Sequence, residues 1–307
     1  MHKKILIVVL LVLTLTLTGC TKYVKDDKGG IVRESTTGQS LVSNILCQPT
    51  DEKIIKNYTD HKVKISKLPT CEEFKPSNGG YEGIWSTLFI KPLSWLIIKI
   101  GMFVKNYGLA IIIVTLIIRL IIFPISKKSA LQSENMKKAS GDLQKLQNKY
   151  RNKKSQEDQM KQAQEMMAIY KKYGINPMSG CIFALIQIPL LFAFYEAMNR
   201  LPLIFEGSFI GMDLGMSPIN GIGKGNFLYV FIIILVILTT YLSFKLNKTA
   251  NTADAAGVNM KMMTNMSIGM IALASFSIST SIGIYWICNS TFTIIQNLLV
   301  KRGSSNA

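Results

Sequence analysis

The chain has 307 residues, of which 49% are hydrophobic and 17% are charged, and its formal net charge is +17. The hydrophobic residues form long uncharged blocks, each near the roughly 20 residues that a bilayer span requires, which excludes an ordinary soluble domain. Much of the positive charge lies in short stretches beside these blocks. Because this is the pattern of a multi-span membrane protein, we expect membrane lipids as neighbours and no DNA partner.

The cysteines and histidines do not indicate a metal site. None of the five cysteines has metal-ligand spacing, and the two histidines cannot complete a zinc site. The sequence also has no phosphate-binding Gly-Lys-Ser/Thr loop and nothing that resembles a catalytic triad, so we expect no cofactor and no enzyme activity. Cys47 and Cys71 share one polar stretch, where the sequence is compatible with either a disulfide or two free thiols.

The amino terminus resembles the signal of a bacterial lipoprotein. Lys3 and Lys4 precede a short apolar stretch, and Leu17-Thr18-Gly19-Cys20 resembles a lipobox. The alternative is an ordinary first transmembrane helix, but the apolar stretch is short and ends in small residues at the cysteine, as a cleaved signal does. We therefore predict that residues 1–19 are removed and that Cys20 becomes a lipid-modified amino terminus outside the membrane.

Two extracytoplasmic regions follow the signal. Residues 20–83 form a polar segment that is close to neutral, and it is either a small module clipped by Cys47 and Cys71 or a partly ordered tether. Residues 84–105 mix lysine and tryptophan into an apolar stretch, which favours an amphipathic helix in the membrane interface. A full span is the alternative for this second region.

Five apolar blocks are long enough to cross a bilayer. From Met262 to Val300 the chain has no charged residue, and this run is roughly twice the length of a bilayer core. It must therefore fold back, and the Ser/Thr-rich segment Ser275–Ser281 is the expected break. The predicted spans cover residues 107–126, 178–199, 226–245, 262–278 and 281–300.

Charge sets the predicted topology. Residues 127–177 contain 12 Lys and Arg against 5 Asp and Glu, so this segment is expected in the cytoplasm together with the carboxyl terminus. The segment is rich in helix-forming residues and predicts a helical hairpin of residues 127–150 and 155–173. It is either a solvated loop or a docking surface for anionic lipid, ribosomal RNA or a nascent chain. The fold class is thus an all-α polytopic membrane protein.

Arg119 is the only charged residue inside the first predicted span, about 12 Å from its cytoplasmic end. An arginine at the bilayer centre costs at least ~2.5–3.5 kcal/mol. The spans offer a single acid, Glu196, near the opposite end of the second span. Water is then the expected partner, in a concavity open to the cytoplasm and helped by the polar residues Thr115, Gln187, Asn289 and Gln296. A structural arginine that is hydrated by chance is the alternative.

The same segments resemble the YidC/Oxa/Alb family of membrane protein insertases. The segment Asn106–Ser126 is similar to the first core helix of that family, Gln164–Tyr195 to the hairpin exit and the second helix, and Ile284–Gln296 to the last helix. Asp213-Leu214 stands where the family has an Asp-Leu before the third helix. The core is therefore expected at residues 106–302, with a short tail at 303–307.

The resemblance implies that Arg119 lies in a substrate groove that is open to the cytoplasm and to lipid. It also implies groove positions at Thr115, Gln187, Tyr285 and Trp286. Nascent membrane proteins would be the substrates, with the Sec translocon and the ribosome, through the basic hairpin, as partners in the bacterial cytoplasmic membrane. Three departures from the family pattern are Phe183, Ser279 and the pair Asn289-Ser290.

Two other classes of function remain open at this point. A small-molecule transporter or channel would use the Arg119 cavity as part of a path through the whole membrane. A lipoprotein with an adhesion or signalling role would keep its activity in residues 21–83 and use the spans only as an anchor.

Overall fold

The computed structural model describes residues 21–153, 155–176, 179–246 and 260–305. The predicted signal, Cys20 and most of the loop 245–261 lie outside the described residues, as does the side chain of Phe183. The prediction of a mainly helical fold is confirmed. The α-helices are α1 (Glu52–Asp60), α2 (Lys91–Val104), α3 (Tyr107–Tyr150), α4 (Gln156–Lys172), α5 (Ser179–Asn199), α6 (Pro202–Glu206), α7 (Pro218–Gly223), α8 (Leu228–Leu246), α9 (Met260–Ser277) and α10 (Thr280–Ser305).

The structure divides into two compact units, and each is described by itself. Of the described residues, the first unit comprises 21–118, 185–236 and 273–289. The second comprises 119–153, 155–176, 179–184, 237–246, 260–272 and 290–305.

Helix α3 differs from the sequence prediction in one respect. A span that ends at residue 126 and a separate hairpin helix from 127 were expected, but one helix runs from Tyr107 to Tyr150. Pro124 lies inside it. A proline removes one backbone hydrogen bond and usually kinks a helix rather than ending it when good helix formers follow.

The predicted helical hairpin is present in the second unit. It consists of the later part of α3 and the whole of α4, whose first turn is capped by Ser155 accepting from the amide of Asp158. The two helices bury a small apolar cluster between them, and Gly174, with φ +60°, ends the second arm. That cluster consists of Met136, Ala139, Leu143, Tyr170 and Ile175.

The apolar run 262–300 breaks where the sequence predicted. Helix α9 ends at Ser277 and α10 begins at Thr280. Loop carbonyls satisfy the first amides of α10, because Thr280 N donates to Met216 O at 2.9 Å and Ser281 N to Leu214 O at 2.9 Å. The break is therefore held by hydrogen bonds to the loop that contains Leu214 and Met216.

Three helices in the described part of the chain are long and apolar enough to cross a membrane. They are Ser86–Val104, Tyr107–Tyr150 and Leu228–Leu246. The first begins with a π-helical turn, Ser86–Ile90, that continues directly into α2. Its length and composition suit a span as well as an interfacial helix, so the interfacial placement and the count of five spans stay predictions.

Residues 21–83 form a folded module of the first unit, which is the first of the two alternatives left by the sequence. Isolated antiparallel bridges, such as Tyr23 with Val42, organise its first part. Cys47 and Cys71 are joined in a disulfide with Cα atoms 4.8 Å apart. Asp51 caps α1, because its carboxylate accepts from the amides of Lys53 and Ile54.

Candidate functional site

Arg119 lies on α3 in the second unit, and only 2% of its surface is exposed. Its guanidinium carbon is 6.0 Å from the centroid of the Phe292 ring, which Phe123 meets edge to face. A cation over an aromatic ring is stabilised by roughly 0.5–2 kcal/mol, less than the cost of at least ~2.5–3.5 kcal/mol for an arginine at the bilayer centre. The Phe292 ring alone therefore does not offset the cost of placing the Arg119 guanidinium in hydrocarbon. Polar groups near the guanidinium are needed to offset the rest of that cost.

Outside the hairpin, the helical segments of the second unit bury polar side chains and expose large apolar side chains. Ser126 Oγ donates to Gln296 Oε1 at 3.0 Å in the interior. The buried polar residues of these helices include Arg119, Ser126, Thr239, Thr240, Ser290, Thr293, Gln296 and Asn297. The exposed apolar residues include Leu120, Ile121, Leu238, Ile295, Leu298 and Leu299. This distribution is the reverse of a water-soluble domain and fits helices that face lipid.

Five of the predicted groove residues lie in the first unit. Thr115 is buried and donates its hydroxyl to the Ile111 carbonyl at 2.6 Å. Tyr285 is fully buried and stacks on Phe194, with ring centroids 4.2 Å apart. The remaining three are half-buried Gln187 and Trp286 and buried Asn289.

Arg119 and Gln296, the other two predicted groove residues, lie in the second unit. Helices α3 and α10 each carry predicted groove residues of both units. Thr115 and Arg119 are four residues apart on α3, which is about one turn. On α10, Tyr285, Asn289 and Gln296 are spaced by four and seven residues, which places them on one helix face. A groove built from these faces stays a prediction.

The sequence analysis missed several buried polar residues of α10. Ser290, Thr293 and Asn297 are all buried, and together with Asn289 and Gln296 they recur every three or four residues within an otherwise apolar helix. Such a stripe marks one face of a helix. Counting polar rather than apolar residues at helical spacing would have found this face.

A buried charge cluster in the first unit was also missed. Arg200 is 2% exposed and donates to Glu82 Oε2 at 2.6 Å, to Ser86 Oγ at 2.8 Å and to the Asn44 carbonyl at 2.7 Å. Glu196, one turn earlier on α5, lies 3.7 Å from the same guanidinium. The sequence analysis named Glu196 only as the single acid of the predicted spans, and the structure places it beside Arg200.

Lys91 completes this cluster from the start of α2. Its fully buried ammonium donates to the carbonyls of Asn78 and Gly80, both at 2.7 Å, and lies 3.3 Å from Glu82 Oε1. Burial alone would raise the pKa of Glu82, but the hydrogen bond and charge of Arg200, followed by Lys91, lower it below the usual range. The cluster therefore holds Glu82 ionised and ties the module 21–83 to α2 and α5.

The family model of the 60Kd inner membrane protein matches residues 99–307 of this chain. That range contains α3 with Arg119, the hairpin and α10 with its polar face. Membrane protein insertase YidC of Oceanobacillus iheyensis is 35% identical over 241 residues, covering 76% of this chain and 91% of the relative. This chain belongs to the YidC family of membrane protein insertases.

A second relative agrees with this family. Membrane protein insertase MisCA of Bacillus subtilis is 34% identical over 236 residues, which are 76% of this chain and 86% of the relative. The chain is also similar to the crystal structure of an active YidC insertase with its first transmembrane domain resolved, at a TM-score of 0.45 and 23% identity. That match covers 80% of this chain and 52% of the solved one. The transporter alternative finds no support among these family members.

Proposed function

We propose that this insertase receives a polar or acidic segment of a nascent membrane protein in a hydrated groove at Arg119. The adjoining apolar span then leaves sideways into lipid. One observation carries the proposal: Arg119 and other polar side chains of the second unit are buried, while large apolar side chains of the same helices are exposed. Such an interior can solvate a polar segment inside the membrane, and the outer surface remains compatible with lipid.

The physical advantage of such a groove is a shorter path through hydrocarbon. A short acidic tail gains attraction from the guanidinium, and this attraction is stronger in a poorly solvated site than in water. Burial of the apolar surface of the client in lipid then drives its release from the groove. This sequence of events requires no nucleotide, metal or covalent step, so we propose a non-enzymatic role.

The topology and partners follow from the charge distribution. We propose a lipid-anchored amino terminus at Cys20 outside the bacterial cytoplasmic membrane, with the hairpin and the carboxyl terminus in the cytoplasm. The hairpin carries a net charge of +7 over residues 127–177, which suits ribosomal RNA or anionic lipid. Cooperation with the Sec translocon is proposed for larger clients.

Depletion and rescue in cells tests the role of Arg119. The clients are a small membrane protein with an acidic translocated tail and the same protein with a neutral tail. Arg119→Ala is expected to lower insertion of the acidic client about tenfold, the equivalent of one lost charged hydrogen bond. Arg119→Lys retains the charge and should restore part of this activity.

Arg302→Ala is the matched control, because Arg302 is an exposed arginine near the end of α10 and lies outside the hairpin. It should leave both clients unaffected. Full rescue of the acidic client by Arg119→Ala would overturn the electrostatic role. If Arg119→Ala lowered insertion of the acidic and the neutral client equally, Arg119 would be needed for the structure of the insertase and not for attraction of the acidic tail.

A further inference from the structure

The segment between α5 and α8 contains a tight turn with an isoleucine at a position that suits isoleucine poorly. Two short antiparallel strands, β1 (Ser208–Phe209) and β2 (Met212–Asp213), are joined by Ile210 and Gly211. Both joining residues have positive φ, +50° at Ile210 and +74° at Gly211. Two-residue turns of this kind usually carry Asn-Gly, because a β-branched side chain crowds its own backbone at positive φ. Ile210 is therefore held in a strained backbone conformation.

The side chain of Ile210 is also exposed. The accessible fraction of this residue is 69%, and Gly211 beside it is exposed as well. In water, the position would combine backbone strain with exposed apolar surface, and asparagine would avoid both costs. Transfer of the side chain into an apolar surrounding would remove the cost of exposure and offset the strain.

Two asparagines hold the turn between α3 and α8. Asn106 Nδ2 donates to the Ser208 carbonyl at 3.4 Å, and Asn106 Oδ1 accepts from an amide in the first turn of α3. Asn226 Nδ2 donates to the Gly211 carbonyl at 2.8 Å, and Asn226 Oδ1 accepts from the first amide of α8. Each carboxamide therefore caps a helix and binds the turn at the same time.

The ring of Phe209 lies beside the beginning of α3. It packs against Gly108, where an added Cβ atom would collide with the ring, so the missing side chain lets the turn and the helix approach closely. On the side of α8, Asp213 N donates to the hydroxyl of buried Tyr229 at 2.8 Å. Both helices are long and apolar enough to cross a membrane. Since their predicted spans begin at residues 107 and 226, the turn lies at the level where the hydrocarbon layer begins.

Exposed apolar side chains extend from the turn along α8. Phe227 follows Asn226 directly and is 70% exposed, and Phe231 and Ile234 are exposed farther along the helix. Phe103, near the end of α2, is 87% exposed. Large exposed apolar side chains on a spanning helix face lipid, and aromatic rings at its end are typical of the membrane interface. The turn therefore borders a surface that suits lipid.

We propose that Ile210 inserts into the acyl-chain layer of the membrane and anchors the first unit there. A protein partner would be expected to pair with the strand edges, but the carbonyls of Ser208 and Gly211 already accept from the two asparagines. Because these asparagines join the turn to both helices, insertion of Ile210 fixes the depth at which α3 and α8 enter the membrane. The choice of the outer leaflet rests on the proposed topology, whereas insertion itself does not involve the groove at Arg119.

Fluorescence quenching with the full chain in proteoliposomes measures the depth of the turn. An environment-sensitive fluorescent amino acid replaces Ile210, and in a second protein it replaces Ile31, an exposed isoleucine in the module 21–83. The probe at 210 should be quenched by phospholipids with brominated acyl chains and should be protected from iodide in the water. The probe at 31, which has charged neighbours in the sequence, should show the reverse.

Lipid labelling tests the turn with its native side chain. Phospholipids that carry a photoreactive group on the acyl chain are irradiated with the unaltered chain in the absence of client, and the adducts are located by mass spectrometry. Residues 208–213 should carry an adduct, and residues 26–34 should not. Ile210→Asn should lose most of the adduct at 208–213, because asparagine suits the turn but favours water. Adducts on α8 should persist in this variant and show that it remains folded in the membrane.

Ile31→Asn is the matched control, since it makes the same chemical change at an exposed isoleucine of the module 21–83. It should leave the adduct at 208–213 unchanged. Quenching of the probe at 210 by iodide, or labelling of α8 without labelling of 208–213, would overturn the anchoring proposal. Loss of the quenching by lipid when a client is added would assign the turn to client binding and would also overturn it.

Failure of the proposed function is separately visible. Arg119→Ala should leave both the quenching at 210 and the lipid adduct unchanged. If insertion of the acidic client does not need Arg119 while lipid labels the turn, only the proposed function fails. If insertion needs Arg119 while Ile210 remains in water, only the anchoring proposal fails.

Discussion

Arg200 in the first unit and Arg119 in the second are equally buried, with 2% of each exposed. Arg200 lies beside two carboxylates, those of Glu82 and Glu196, and also donates to a hydroxyl and a backbone carbonyl. Arg119 lies over an aromatic ring, and the predicted span that contains it, residues 107–126, has no Asp or Glu.

The comparison separates two uses of a buried cation. A guanidinium that is neutralised by nearby carboxylates fixes the elements that supply them, and its removal leaves buried charges uncompensated. A guanidinium in segments without acids keeps its positive potential for a ligand. Burial alone therefore does not distinguish the two arginines, and the variants below test whether their roles differ.

The largest effect on stability is expected for Arg200→Leu. The substitution leaves Glu82 and Glu196 near each other without their shared cation and should destabilise the first unit by about 3 kcal/mol. Thermal unfolding of the purified protein measures this loss, with Arg33→Leu as a control at an exposed arginine. Normal stability of Arg200→Leu would show that the cluster does not hold the module 21–83 in place.

An intermediate effect is expected on acidification. Since the pKa of folded Glu82 lies below its ordinary value of 4.5, its contribution is present above about pH 4.5 and is lost as the pH falls through the folded value. The melting temperature should therefore drop in this acidic range. Glu82→Gln should make the decrease in melting temperature smaller. Part of the decrease should remain, because the pKa values of Glu34 and Glu165 are also lowered in the folded protein. An identical pH profile in Glu82→Gln would contradict the proposed role.

The smallest effect on stability is expected for Arg119→Leu. Replacing a buried cation by an apolar side chain of similar size removes a desolvation cost, so the melting temperature should stay the same or rise. Insertion of an acidic client should nevertheless fall. A loss of stability as large as that of Arg200→Leu would make Arg119 structural and remove the contrast between the two arginines.

Local patterns were sufficient for several parts of the fold. Helix formers between Lys127 and Tyr150 predicted the first arm of the hairpin, and the excessive length of the run 262–300 predicted the break that the structure has at 278–279. Both features depend on residues that are neighbours in sequence. The continuity of α3 through Pro124 was not predicted, because whether a proline kinks or ends a helix depends on the residues that pack around it.

The sequence by itself determined that the chain is a helical membrane protein with a buried arginine in a segment without acids. Apolar block length and charge asymmetry act locally and can be identified along the chain. Only the tertiary structure decided that Arg200 meets Glu82, 118 residues away, and that Gln39 meets Asn199, 160 residues away. No local pattern encodes such pairs, because each residue alone is an ordinary polar side chain until the fold buries it beside its partner.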